Sequence, residues 1–238
     1  MSFGISLHIW GDYACFTRPE LKAERMSYDV ITPSAARGIL SAIYWKPQFR
    51  WVIDRIHVLK PVRTTQVRRN EVGKKMPSPS AAVMSGQKED FLGLLIEDNR
   101  QQRAATILRD VGYVIDAHVE VPDGETESNS VAKHLEMFKR RAAKGQCFHQ
   151  PCLGTREFPA MFELVDDRHP FPACELPENE RNRDFGLMLW DLVYTDDSKN
   201  GTTVCAHTGK KQKVTPHFYR AEMRDGVIKV PTLKETAS

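Results

Sequence analysis

Thr32–Val72 reads TPSAARGILSAIYWKPQFRWVIDRIHVLKPVRTTQVRRNEV, and this stretch decides the fold. Thr32 and Pro33 are a helix cap and a first-turn proline. Apolar residues then recur at helical spacing on one face, namely Ala36, Ile39, Leu40 and Ile43. We predict a helix that begins after Thr32 and ends at Pro47, because proline cannot continue it.

Two strands follow this helix. Apolar residues alternate with polar ones and then change phase, at Phe49, Trp51, Ile53, Ile56 and Val58. Such a change of phase predicts a strand with a bulge near Asp54. After Lys60-Pro61 turns the chain, a polar and basic strand is predicted from Val62 to Val72.

The other elements are read in the same way. We predict a first strand at 5–10, a surface excursion at 11–31, an irregular loop at 73–103, a strand at 104–121 and a helix at 131–145, with further strands at 160–165 and 186–194. The loop is either a mobile basic segment that closes on a ligand or a solvated linker. Two helices on one face of an antiparallel sheet give an α+β, ferredoxin-like (RRM-like) domain over 1–150, and a small β-rich domain is predicted over 151–238.

Composition excludes several classes of protein. The 238 residues carry a net charge of +3, so total charge alone does not indicate nucleic-acid binding. The odd number of scattered cysteines predicts a reduced, cytoplasmic protein: Cys15, Cys147, Cys152, Cys174 and Cys205. No apolar run is long enough for a membrane helix, and no basic leader precedes an apolar core at the N-terminus.

The distribution of charge is more informative than its sum. Basic residues concentrate at 63–75 and again at 133–144, and such surfaces suit a polyanion. The second cluster also has an ordinary explanation, because cations in a last helical turn complement the helix dipole. The candidate RNA-binding residues are Arg37, Arg63, Arg68, Arg69, Lys74 and Lys75.

Two side chains are candidates for acid–base chemistry. Tyr44 borders the buried stripe of the first helix, so its hydroxyl either reaches the edge of the element or is satisfied in the core. Asp116 and His118 share one strand face, where a carboxylate can hold an imidazole in one tautomer. The alternative is a surface histidine without a catalytic role. The motif CFHQPC at 147–152 lacks a second ligand pair, so we predict no metal site.

Several blocks closely resemble one known family. They are GDYACFTRPELKAERMSYDVITPSAARGILSAIYWKP, RRNEV, LRDVGYVIDAHVEV, PCLGTREFPA and FGLMLWDLVY, and VTPHFYRAEMRDGVIKVP extends them to Pro231. In this order they resemble the subtype I-C, or d-form, member of the Cas-five family of CRISPR-associated RAMP proteins. The resemblance covers nearly the whole chain from Gly11.

The resemblance implies both a fold and an activity. It implies a ferredoxin-like domain followed by a small β domain, and cleavage of precursor CRISPR RNA beneath the repeat hairpin by the ribose 2′-hydroxyl, without a metal or other cofactor. The product is then kept as guide in a surveillance complex with the subtype's backbone and large subunits. The family's tyrosine matches Tyr44 and its histidine matches His118. The family's lysine beside that histidine is absent here, which leaves Lys46, Lys60 or Lys74 to supply the cation; Lys46 is our candidate.

Three functions therefore remain open at this stage. The first is a repeat-specific, metal-independent endoribonuclease that stays in the effector complex. The second is a non-catalytic subunit that caps the 5′ end of the guide. The third is general binding of duplex nucleic acid, including DNA.

Overall fold

The computed structural model describes residues 4–21, 23–89, 93–122, 124, 126, 130–197, 199–204 and 209–232. Helices span α1 Pro33–Ile43, α2 Ala81–Met84, α3 Ile96–Asn99 and α4 Val131–Ala142. Strands span β1 Ile5–Ala14, β2 Arg50–Val58, β3 Thr64–Val72, β4 Arg100–Glu120, β5 Met161–Leu164, β6 Arg183–Asp196, β7 Thr203–Val204, β8 Lys211–Arg224 and β9 Val227–Lys229.

All of these strands join one antiparallel sheet in the order β5-β1-β4-β2-β9-β8-β6, with β3 on β4 and β7 on β8. The 21-residue β4 has two uses. Its first half pairs with β3 to form a two-stranded ribbon, and its second half lies between β1 and β2. The sheet also connects the regions 1–150 and 151–238 that were predicted as two domains, because β5 pairs with β1 and β9 pairs with β2.

The core lies between this sheet and the helices α1 and α4. The stripe of α1 is buried as predicted, and the side chain of Thr32 accepts a hydrogen bond from the amide of Ala35. Trp51 of β2 packs edge-on against Phe138 of α4, with ring centroids 4.8 Å apart. The predicted α+β, ferredoxin-like fold is confirmed, and so is the bulge, since the register of β2 shifts between Ile53 and Arg55.

Other boundaries differ from the sequence-based expectation. The segment 11–31 is not a surface excursion, because β1 continues to Ala14 and Phe16 and Tyr28 are buried. The amide of Tyr28 donates to the carbonyl of Phe16, which holds the charged segment against the core. The loop at 73–103 contains two short helices, and β4 begins at Arg100 rather than at residue 104.

Two features are absent from the residues that the structure describes, namely a membrane-spanning helix and a cluster of metal ligands. None of the helices there is long and apolar enough to cross a membrane. Within the same part of the chain, no group of three or more His, Cys, Asp or Glu side chains could hold a metal ion.

Candidate acid–base site and nucleic-acid surface

His118 lies near the end of β4, opposite Val52 of β2. Its Nδ1 atom is 2.9 Å from both carboxylate oxygens of Asp54, and its Nε2 atom is 3.7 Å from Oε1 of Glu120. Asp54 is the extra residue of the bulge, which brings its carboxylate beside the imidazole. Since 35% of the His118 side chain is exposed, a ligand can reach the ring. The carboxylate holds the proton on Nδ1 and leaves Nε2 as the reactive atom.

The carboxylate expected to orient His118 was Asp116, and that expectation is wrong. Asp116 lies on the same face but accepts hydrogen bonds from Ser6 Oγ at 2.6 Å and from His57 Nε2 at 2.9 Å. Burial alone would raise the pKa of Asp116, but these hydrogen bonds outweigh it and keep the pKa below its usual value. The partner of each carboxylate is therefore determined by side chains on the neighbouring strands and not by spacing along β4.

Glu120 is fixed as an anion beside the histidine. Nε of Arg50 donates to Glu120 at 2.7 Å, and this hydrogen bond is the main reason that the pKa of Glu120 is lowered. His118 therefore lies between two carboxylates, one of which is bound to an arginine.

Each carboxylate beside His118 lines a cavity. Asp54 lines a cavity of about 950 Å³, whose wall also carries Arg55, Arg220 and Lys229. Glu120 lines a second cavity, of about 350 Å³. The two carboxylates that contact His118 therefore border two different cavities, and the larger one has both acidic and basic side chains in its wall.

Tyr44 is buried, whereas a catalytic hydroxyl at the edge of a helix would be open to its substrate. It is only 4% exposed, and its hydroxyl is 3.0 Å from Nδ1 of His134. Burial raises the pKa of Tyr44, and the opposing effect of Arg141 is smaller, so the phenol keeps its proton near neutral pH. The ring stacks on Phe49, and Nε1 of Trp51 donates to the main-chain carbonyl of Tyr44, on the helical side of the sheet, whereas His118 is on the opposite face.

His134, the hydrogen-bond partner of Tyr44, is a residue that the sequence analysis did not identify. It is 5% exposed and lies on the same stripe of α4 as Leu135 and Phe138. Burial is the main cause that lowers its pKa, and the charges of Lys133 and Lys46 add to the effect. A histidine on the apolar face of an amphipathic helix was a signal in the sequence. The structure thus brings Tyr44, Lys46 and His134 together and separates them from His118.

The buried histidine predicts how stability depends on pH. The pKa of His134 and that of His8 are lowered, in both cases chiefly by burial, so the unfolded chain binds these protons first, near pH 6.5. The stability that these two neutral imidazoles contribute is present above that pH and is lost as the pH falls through the folded-state pKa values. We expect urea unfolding to show a lower free energy of unfolding at about pH 5.5 than at about pH 7.5.

The matched variants for this pH series are His134→Gln and His149→Gln. The first removes a buried imidazole and should flatten the pH dependence, whereas the second replaces an exposed one and should leave it unchanged. Equal pH dependence in wild type and His134→Gln would contradict the assignment.

The six candidate RNA-binding cations divide into two groups. Arg37 makes two hydrogen bonds to Asp191, Arg69 pairs with Glu157 and Glu71, and Arg63 lies 3.6 Å from Asp110. The other three are exposed and pair with no carboxylate of the described residues: Arg68, Lys74 and Lys75. The ribbon, taken together with the two lysines that follow β3, therefore carries three of the candidate cations without a carboxylate partner.

Two solved structures share this fold over nearly the whole chain. A functionally uncharacterized protein from Streptococcus mutans matches with a TM-score of 0.63 and 22% identity, over 98% of this chain and 94% of that one. A structure described as a CRISPR-associated protein matches with a TM-score of 0.61 and 22% identity, over 98% and 93%. The fold is thus the ferredoxin-like α+β class found in CRISPR-associated proteins.

Sequence comparison gives the family. The profile described as CRISPR-associated protein (Cas_Cas5), of the Cas5d type, matches residues 4–231. Two curated relatives carry the name CRISPR pre-crRNA endoribonuclease Cas5d. The Mannheimia succiniciproducens protein is 56% identical over 97% of this chain and 96% of its own length, and the Thermus thermophilus protein is 41% identical over 97% and 92%. The chain belongs to the Cas5d family of CRISPR-associated proteins.

Proposed function

We propose that this chain is an endoribonuclease that cuts precursor CRISPR RNA within the repeat hairpin and remains bound to the product. The observation that carries the proposal is the oriented, solvent-accessible His118 between Asp54 and Glu120. The names of the two curated relatives support the same activity. We further propose that it acts in the cytoplasm as a subunit of a type I-C surveillance complex, beside backbone and large subunits.

The proposed cut uses the ribose 2′-hydroxyl and no metal. His118 Nε2 takes the 2′-proton, the 2′-oxygen attacks the adjacent phosphorus, and the 5′-oxygen leaves with a proton from an acid. The products are a 2′,3′-cyclic phosphate and a 5′-hydroxyl end. Lys229, in the cleft beside Asp54, supplies positive charge near the negatively charged phosphorane.

Tyr44 and Lys46 form the second part of the proposal. Both lie at the end of the sheet where β2 begins, which is also where β4 ends beside His118. Tyr44 keeps its proton because its pKa is raised, so it can act as a donor but not as a base at neutral pH. Lys46 is exposed beside this cluster and can neutralise a phosphate that crosses the end of the sheet.

Incubation of the purified protein with its repeat RNA tests the activity. We expect one cut at the base of the hairpin and no cut in an unrelated hairpin of the same length. Competition by unrelated RNA or DNA duplexes at equal strength would favour general duplex binding instead.

One observation favours a second candidate function. Tyr44 is buried and on the opposite face from His118, so the family's constellation is not assembled as one site in the described residues. A non-catalytic subunit that caps the guide would need no such assembly. Tight binding of the repeat without any cut, with and without magnesium, would establish that function.

The ribbon should account for much of the electrostatic part of RNA binding. Replacing Arg68, Lys74 and Lys75 by alanine together should weaken binding and flatten the slope of log affinity against log salt. The slope should fall by about one for each phosphate that the variant no longer neutralises. Binding titrations at several salt concentrations measure this slope.

Arg69→Ala is the matched control for the ribbon. Arg69 neighbours Arg68 in the chain but pairs with Glu157 and Glu71, so its replacement should change the salt slope little. If the triple variant also leaves the salt slope unchanged, Arg68, Lys74 and Lys75 are ordinary solvated charges that do not contact phosphate.

A further inference from the structure

The cavity that Glu120 lines differs in chemistry from the larger one that Asp54 lines. Its walls are mainly apolar and aromatic: Trp51, Val52, Trp190, Leu192, Tyr194 and Val230. Tyr194 is 50% exposed, and Nε1 of Trp190 donates to the carbonyl of Pro231 at 2.9 Å, which fixes this indole in the wall.

The cavity exists because the sheet has a gap at this point. Among the described residues, β2 pairs with β9 only over Arg55–His57, and the carbonyl of Asp54 accepts from the amide of Val230. The edge of β2 before Asp54 therefore has β4 on one side and the cavity on the other.

The charges at the cavity cancel in pairs. Arg37 makes a two-point ion pair with Asp191, and Arg50 pairs with Glu120. A phosphate would find no unpaired cation among these residues, whereas a neutral, flat heterocycle can stack on the aromatic walls. A volume of about 350 Å³ is in the range of small-ligand pockets.

One residue of the cavity wall is close to the proposed catalytic group. Glu120 lines it, and Oε1 of Glu120 is 3.7 Å from Nε2 of His118. A nucleotide whose phosphate is next to His118 can therefore place its base in the cavity.

We propose that this cavity binds one unpaired nucleobase of the repeat RNA and so sets the position of the cut. The inference rests on the proposed function, because it places the RNA backbone at His118. Holding one base in the pocket fixes the neighbouring phosphate, and single-stranded bases are the parts of RNA that proteins recognise by stacking.

The test uses repeat RNA whose unpaired nucleotides carry 2′-deoxyribose, so that the RNA binds without being cut by 2′-hydroxyl attack. Each unpaired position is replaced in turn by an abasic site, and equilibrium affinity is measured. With wild-type protein, one position should lower affinity on the order of tenfold to a hundredfold, as expected for one stacked base.

Two variants connect that position to the cavity. Leu192→Trp fills the cavity and Tyr194→Ala removes an exposed aromatic wall, so each should weaken binding of intact RNA, and the abasic site should then have little further effect. Val204→Trp, a similar enlargement at an exposed position of β7 that does not line the cavity, should behave as wild type.

Several outcomes would overturn the proposal. One is that no abasic site lowers wild-type affinity beyond about twofold, and another is that the abasic effect persists in full in both cavity variants. A third is that Leu192→Trp binds RNA normally but no longer joins the other effector subunits, which would assign the cavity to a protein strand. Cleavage of all-ribose repeat RNA is measured separately. If cleavage is normal but no abasic site lowers affinity, only the base-binding pocket is rejected. If an abasic site lowers affinity but the RNA is not cleaved, only the nuclease activity is rejected.

Discussion

His118→Ala is expected to slow cleavage of repeat RNA by on the order of a hundredfold to ten-thousandfold, the usual contribution of one proton-transfer group. The substitution removes the only imidazole among the described residues that is bonded to Asp54 and lies near Glu120. Binding should be nearly unchanged, because the cations of the ribbon are untouched. Single-turnover cleavage and equilibrium affinity, measured on the same RNA, separate the two effects.

His57→Ala is the control for this variant. His57 is also a histidine on the open face of the sheet bonded to a carboxylate, but its partner is Asp116. Its replacement should leave the cleavage rate within a few-fold of wild type, on the order of the effect of a change away from a reacting group. Normal cleavage by His118→Ala would remove His118 from the mechanism.

Tyr44→Phe is expected to slow cleavage by about a hundredfold and also to lower stability. The slower cleavage follows if the phenol is the proton donor to the leaving 5′-oxygen. The lower stability follows because the substitution removes the buried hydrogen bond between the Tyr44 hydroxyl and Nδ1 of His134, and a typical hydrogen bond contributes about 0.5–1.5 kcal/mol. Cleavage is therefore measured well below the unfolding temperature of the variant.

Tyr28→Phe separates these two causes. Tyr28 is likewise buried, at 3% exposure, and burial is the main cause that raises its pKa, but it lies in the segment before α1. This control should be less stable than wild type and should still cleave at the wild-type rate. If Tyr44→Phe behaves in the same way, the tyrosine is structural, and the acid must be sought near His118.

Much of the fold follows from local patterns. The cap at Thr32, the stop at Pro47 and the phase change near Asp54 each depend on a few neighbouring residues. The structure has the start of α1 and the bulge where these signals predict them, whereas α1 ends at Ile43, before the proline. The prediction for 11–31 was wrong because its charges suggested solvent, whereas its main-chain hydrogen bonds to the core are not visible in the sequence.

The site could be predicted only in part, because its contacts are long-range. His118 and Asp54 are 64 positions apart, and Tyr44 and His134 are 90 positions apart. The register of β2 on β4 decides the first contact, and the packing of α4 decides the second. Spacing along one strand pointed instead to Asp116, which has its own partners on β1 and β2.

The same limit applies to charges. Arg68 and Arg69 are equivalent as sequence, but alternation along β3 exposes the first and turns the second toward Glu157. Arg37 is a candidate for RNA contact from the sequence, and the fold pairs it with Asp191. Composition therefore indicated a basic surface without showing which cations are unpaired.

The most direct test of the central claim is the chemistry of the product ends. Purified protein is incubated with repeat RNA in EDTA, and the ends are mapped. The account predicts one cut at the base of the hairpin that leaves a 2′,3′-cyclic phosphate or 3′-phosphate and a 5′-hydroxyl, and no cut when the nucleotide before the site lacks its 2′-hydroxyl. Cleavage of that 2′-deoxy RNA at the same position, or a 5′-phosphate on the product, would contradict attack by the 2′-hydroxyl.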